Sequence, residues 1–346
     1  RGCYKGGYEI RRVSGESSLT IESLNLFENN WRPQTSQEVL VARSKIITSI
    51  RNFFLRNNVL EVDLPVLSSA TVSDPFITSF TVNHPLGDLY LQTSPEYLMK
   101  RLIAETKRDY YYLGKAFRAD EVGRLHNPEF TILEWYRCDC DEFDLMDEII
   151  SLIHVVSKGR DCYKNVTTLS YKDCYQNTLS IDPHALTTME LQTFCKLKIG
   201  SQWAESSRKT CLDLIFNHFI QPALPPGVVF VYEFPECQAG LSKLKRSDLG
   251  YCVSRRFEVF LNNIEIANGY YELNDSDQQR ERFESDNLER REQSKDLIQA
   301  DKKLLDALDY GLPNCSGVAI GIDRLIMCLL NLEDISAVIP FPWMYQ

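Results

Sequence analysis

Between Arg256 and Leu273 two apolar-rich stretches flank Asn262-Asn263, a pair suited to the two-residue turn of a β-hairpin. A second pair of strand-like runs, Tyr110 to Arg118 and Phe130 to Arg137, is joined by a polar loop and not by a helix. Strands linked this way pair antiparallel, because a parallel neighbour needs a crossover of roughly a dozen residues or more. The 346-residue chain is therefore expected to build an antiparallel β-sheet flanked by helices, an α+β fold.

The helices are legible from apolar spacing and end signals. From Ser36, positions Val39, Arg43, Ile46, Ile50 and Phe53 or Phe54 recur at three- and four-residue steps until Asn57 and Asn58 stop the pattern. An extended run, Val59 to Val66, follows; Pro65 lacks an N–H and assigns it to an edge or interface. Ser94 is expected to cap a helix with Pro95 at its first position, leading into Tyr97 to Ala104. A highly charged helix is expected from Asp275 to Arg291, and a glycine-rich strand-to-helix turn from Gly317 to Leu330. Residues 1–35 show no sustained period and read as a poorly structured tail, leaving 36–346 as one catalytic-sized unit. Residues 141–225 mix helical patterns and loops and carry no nameable chemistry.

Charge and composition exclude several classes. The net charge is −10 with no long basic run, which disfavours stable tRNA binding. No apolar run approaches the roughly eighteen residues of a membrane span, so no membrane association and a cytoplasmic location are expected. The eleven cysteines are scattered, with Cys138 and Cys140 the only close pair, and fit reduced core thiols better than a zinc site.

Four segments carry candidate chemistry. In Phe130 to Arg137, strand alternation puts Phe130, Ile132, Glu134 and Tyr136 on one face. A carboxylate among aromatics there needs a cation, either a bound ammonium or a neighbouring Arg. Arg118, before the loop Gly123-Arg124-Leu125-His126-Asn127, can offer a bidentate fork to phosphate or carboxylate. Counting from the Asn262-Asn263 turn pairs Phe260 with Glu265 and Glu258 with Ala267, making Glu258 and Glu265 diagonal neighbours with Cβ atoms roughly 7–8 Å apart. Two such carboxylates suit Mg²⁺ on a triphosphate, or else a plain acidic face. Strict alternation would turn Asn268, Tyr270 and Glu272 away from Glu265, so a shared pocket requires a bulge near Ile266 to Gly269. In the glycine-rich turn, Arg324 falls in the first turn of a helix whose N-terminus favours anions.

In order and spacing, these segments resemble the three signature motifs of class II aminoacyl-tRNA synthetases, specifically the lysyl-type subgroup. The run around Pro65 resembles motif 1, Phe117-Arg118 through Glu134-Trp135-Tyr136 motif 2, and Gly317 to Arg324 motif 3. The resemblance implies homodimerisation through motif 1 and ATP and Mg²⁺ as cofactors. It implies that Arg118 and Arg324 are catalytic, that Arg118, Ala119, Asp120, His126, Asn127, Phe130, Glu265, Ile266, Gly321 and Arg324 bind ATP, and that Glu258 and Glu265 carry the metal. Phe130 would stack on adenine opposite Arg324. Ser94, Pro95, Glu96, Glu134, Tyr136, Asn268, Tyr270, Glu272 and Ala319 would form a lysine pocket. Asp120 departs from the Glu usual there, and Glu121 is the substitute.

Too few residues precede position 36 for the five-stranded anticodon barrel of lysyl-tRNA synthetases. What remains is similar to the elongation factor P lysine ligases, stand-alone paralogues of those enzymes. Ser94 in Thr-Ser-Pro-Glu, Ala267 and Ala319 stand where lysyl-tRNA synthetases carry Ala, Gly and Gly. That resemblance implies activation of lysine or (R)-β-lysine, the latter supplied by a lysine 2,3-aminomutase, and transfer to a lysine of elongation factor P. The alternative is a lysyl-tRNA synthetase catalytic core without its anticodon-binding domain.

Overall fold

The computed structural model describes residues 31–345. Residues 1–30 of the expected tail lie outside them. Its last part is docked: Thr35 is buried and the Gln34 amide donates to the Pro340 carbonyl at 2.8 Å.

The elements in chain order are α1 (Gln37–Arg56), β1 (Leu60–Glu61), β2 (Leu67–Ser68), β3 (Thr81–Val82), β4 (Leu89–Leu91), α2 (Glu96–Thr106), β5 (Tyr110–Phe117) and β6 (Glu129–Cys138). They continue with α3 (Glu142–Val156), β7 (Val166–Ser170), α4 (Tyr171–Leu179), α5 (Thr188–Lys198), α6 (Arg208–Ile215), β8 (Val228–Tyr232), β9 (Leu244–Arg246) and β10 (Cys252–Ser254). The last are β11 (Arg256–Leu261), β12 (Ile264–Tyr271), α7 (Ser276–Glu292), α8 (Lys302–Gly311), β13 (Cys315–Gly321) and α9 (Ile322–Leu329).

Eight strands form one sheet in the order β1-β5-β6-β13-β12-β11-β8-β7. The inner six pair antiparallel, β5 with β6 and β11 with β12 as the expected hairpins. The two edge strands, β1 and β7, run parallel to their neighbours, so the sheet is mixed and not wholly antiparallel. Both are reached through long helical connections, which permit parallel pairing. Only Leu60 and Glu61 of the expected run 59–66 join this sheet, at its edge; Leu67–Ser68 pairs instead in a separate three-stranded sheet.

Alternation sorts the two faces. Leu133, Trp135, Phe230, Phe257, Val259 and Val318 point into a core covered by α1, α3 and α9. On the other face there are two apolar clusters. Ile132, Tyr136, Tyr110 and Tyr112 pack on α2 and α8, while Val229, Val231 and Phe260 pack on α4, α5 and α6. Each fully buried large apolar side chain contributes about 1.5–3 kcal/mol to this arrangement. The central strands between those two clusters are thus left as a floor for a site. The 141–225 region, silent in sequence, supplies the second cluster and one wall of that site.

Helix ends follow their caps. Ser36 caps α1 and Asp275 caps α7 with side-chain bonds to Val39 and Gln278 amides. At α2 the cap position is Pro95, one residue later than expected, and it makes no side-chain cap bond. Ser94 still accepts from the Glu96 amide at 3.1 Å.

Candidate active site

A cavity of about 590 Å³ opens on the floor formed by β6, β12 and β13. Its shape depends on one irregularity. Phe260 pairs with Glu265, but Val259 pairs with Ala267 and Glu258 with Asn268, so Ile266 is an extra residue in β12. The expected pairing of Glu258 with Ala267 is thus displaced by one. This bulge changes the phase of the strand and lets Glu265, Asn268, Tyr270 and Glu272 all line one cavity.

At one end of the cavity three carboxylates converge. Glu134 is buried and accepts hydrogen bonds from Ser94 Oγ and Tyr136 Oη, both at 2.7 Å. Neither the Arg partner nor any other cation lies at ion-pair distance from it among the described residues. Burial, and then the Glu96 charge, pushes its pKa up to about 7. Glu96 and Glu272 instead share Lys100: its Nζ lies 2.6 Å from Glu96 Oε1 and 2.7 Å from Glu272 Oε2. Burial opposes the Lys100 charge, but the two carboxylates outweigh it and raise its pKa. Burial also pushes Glu272 upward, against the pull of Lys100. Gly317 makes room for this end, since a Cβ there would stand 2.3 Å from the Tyr136 ring and 2.5 Å from Glu272 Oε1.

The other end is basic. Arg324, third residue of α9, donates to the Leu125 carbonyl (3.0 Å), the Glu265 carbonyl (3.1 Å) and His126 Nε2, and lies 3.6 Å from Glu265 Oε2. Burial, with Arg324 adding to it, lowers the His126 pKa and keeps the ring neutral. Arg118 bonds Glu121 at 2.9 Å and lies over the Phe130 ring at 5.2 Å. Behind this end, Asp323 accepts from the Thr131 amide (2.7 Å) and from Arg43 (2.6 Å), tying α1 to the glycine-rich turn. Glu265 lines the cavity, whereas Glu258 lies off it, ion-paired with Arg256. Burial, with Glu265 adding to it, pushes Glu258 up to about 7 although Arg256 opposes this.

The cavity thus has a basic, carboxylate-backed end facing an acidic one, and comparison with known proteins gives the chain a family. The family model for class II tRNA synthetases (D, K and N) matches residues 27–345. The chain belongs to the class II tRNA synthetase family. Within the family it is 42% identical to an elongation factor P–(R)-β-lysine ligase of Buchnera aphidicola subsp. Acyrthosiphon pisum (strain Tuc7), over 321 residues, 90% of this chain and 97% of the relative. A ligase of the same name from Yersinia enterocolitica is also 42% identical, and one from Hamiltonella defensa 41%, each over 323 residues with the same coverage. The chain is accordingly a ligase of the class II synthetase family.

Of the residues that the sequence singled out, Ser94, Glu96, Glu134, Tyr136, Asn268, Tyr270, Glu272 and Ala319 line the acidic part of this family site. Arg118, His126, Asn127, Phe130, Glu265, Ile266, Gly321 and Arg324 line the rest. Pro95, Ala119, Asp120 and Glu258 are not in the lining. Asp120 is exposed, and Glu121 takes the place beside Arg118. Asn127 is spent on backbone, donating to the Glu129 carbonyl and accepting from the Trp343 amide.

Sequence reasoning missed Lys100, Arg256, Lys209 and Asp213. Lys100 had a signal, its four-residue spacing from Glu96 on one helix face. Arg256 had none; it donates to the Gln238 carbonyl at 2.8 Å and to Asn268 at 3.1 Å, closing the cavity floor. Lys209 and Asp213 reach the lining from α6, within the segment that carried no nameable chemistry.

Proposed function

We propose that this ligase activates (R)-β-lysine, or lysine, as its adenylate with ATP and transfers it to the ε-amino group of a lysine on elongation factor P. The observation that carries the reading is Glu134, a buried carboxylate with hydroxyl donors and no ammonium of its own, at the end of the cavity opposite two arginines. An isolated buried carboxylate is costly, and a substrate ammonium relieves that cost. The names of the relatives supply the acceptor and the β-amino acid.

In this reading the substrate carboxylate attacks the α-phosphorus and pyrophosphate leaves, so no side chain serves as nucleophile. Arg118 would leave Glu121 and the Phe130 face to hold the reacting carboxylate and α-phosphate, freeing that ring for adenine. Arg324 already points its guanidinium into the same end. Catalysis is then positioning and charge stabilisation. Glu265, which lines the cavity, would hold a hard divalent cation, and Glu258 would join it on leaving Arg256. Mg²⁺ bound there supplies neutralisation of the triphosphate charge. Subunits would associate through α1, β1 and β2, where Leu55, Leu60 and Leu67 are exposed. No helix among the described residues is long and apolar enough to cross a membrane.

Single-turnover transfer from the preformed adenylate tests the acceptor. Label moving to elongation factor P, undiminished by excess tRNA-Lys, is the expected result; label moving to tRNA-Lys overturns it in favour of a lysyl-tRNA synthetase core.

A further inference from the structure

Behind the acidic end of the cavity stands a positive charge, Lys100, that the reading above does not use. Lys100 is 1% exposed, with its ammonium between Glu96 and Glu272 and no bond to Glu134. It is held there from both sides, by Glu96 one helical turn back on α2 and by Glu272 just beyond β12. The apolar packing of α2 through Met99 and Ile103 fixes its stem. With all four groups ionised, three carboxylates against one ammonium leave two negative charges.

We infer that Lys100 is a positioning residue that sets the charge of the amino-acid pocket: it pins Glu96 and Glu272 and reduces the net charge of this three-carboxylate cluster from three negative charges to two, matching a substrate with two ammonium groups. Lys100 itself is not an acceptor for the activated acyl group, because both flanking carboxylates hold its proton. Without it, the carboxylates repel one another, take up protons and lose their fixed geometry. The pocket then no longer distinguishes a diammonium substrate from a monoammonium one. The inference rests on the proposed lysine-like substrate.

The test is ATP–pyrophosphate exchange with lysine, (R)-β-lysine and Nε-acetyllysine on the full chain. Lys100→Met is expected to raise the KM for the diamines by about tenfold or more, the scale of losing a charged hydrogen bond, and to leave the KM for ATP near its wild-type value. In Lys100→Ala, propylammonium should restore diamine-dependent exchange and 1-propanol should not. An unchanged diamine KM in folded Lys100→Met, an equal rise in the ATP KM, or equal rescue by the alcohol overturns the assignment. Should Lys100→Met not fold, Glu96→Gln gives the answer, since it leaves one net negative charge. Its preference for lysine over Nε-acetyllysine should fall about tenfold, and an unaltered preference overturns the charge argument. A wild-type chain that shows no exchange with either diamine refutes the substrate reading itself. Diamine exchange in the wild type with an unaffected Lys100→Met refutes only the role of Lys100.

Discussion

Glu134 is a side chain that is costly to the free protein and that the proposed substrate would relieve. Its pKa near 7 stands above the usual carboxylate value, so the folded state holds its proton more tightly than the unfolded chain does. The contribution to stability is therefore fully present at acid pH below the unfolded value and is lost as pH rises through about 7. A bound ammonium reverses this, because it prefers the ionised form. Lysine should raise the melting temperature more at pH 8 than at pH 6, with protons released on binding at pH 6; melts and two-buffer calorimetry check both. Glu134→Gln should match or exceed the wild-type unfolding free energy at pH 8, by up to roughly 3 kcal/mol, while losing diamine-dependent exchange. Arg118 should behave differently. Its one ion pair among the described residues is with partly exposed Glu121, so Arg118→Ala should fold normally and still lose adenylate formation, read as pyrophosphate exchange at saturating substrates.

Elements set these positions, and the strand-loop-strand unit, the hairpin and the glycine-rich turn were all readable within a residue or two. Period-two and three-to-four spacing reports which face is apolar, and that is what fixes β5, β6, α1 and β13. The requirement for a bulge was also legible, because Glu265 and Glu272 could not otherwise share a cavity. The bulge at Ile266 falls at the start of the expected range 266–269; which residue of that range is the extra one was not legible, since it depends on pairing across three strands. Arg43 was read as one of the helix's periodic positions without its purpose; its partner Asp323 lies 280 positions away, and no local pattern reports such a pair. Lys100 was overlooked for a related reason: a lysine in a helix ordinarily reads as solvent-facing. Gly317 offers a test at this scale. Gly317→Ala should displace Tyr136 and Glu272 and raise the diamine KM without unfolding β13, and a crystal structure of the variant would locate the shift. Ala319 pairs with Glu134 on one side and Asn268 on the other, and Ala319→Gly should improve use of lysine relative to β-lysine in exchange assays.

At the scale of the whole molecule, two apolar clusters on one sheet face hold the cavity between them, and α1 locks the opposite face to the glycine-rich turn. Breaking the Arg43–Asp323 pair leaves a buried charge without a partner. Arg43→Met should cost about 3–5 kcal/mol and reduce exchange, whereas a double change to Met and Asn should recover part of the stability; denaturant melts decide. Sedimentation of Leu60→Glu tests association through the β1 edge, where a dimer should become a monomer. The bulged strand β12 has one more consequence. Glu265 at one end of the cavity and Glu272 at the other are separated by a single backbone, at about 3.3 Å per residue. On the proposed reading the strand would serve as a ruler, fixing how far apart a nucleotide and an ammonium group are held. Side-chain changes alter how tightly each end grips, but only an insertion or deletion in β12 can change the length of molecule that spans them.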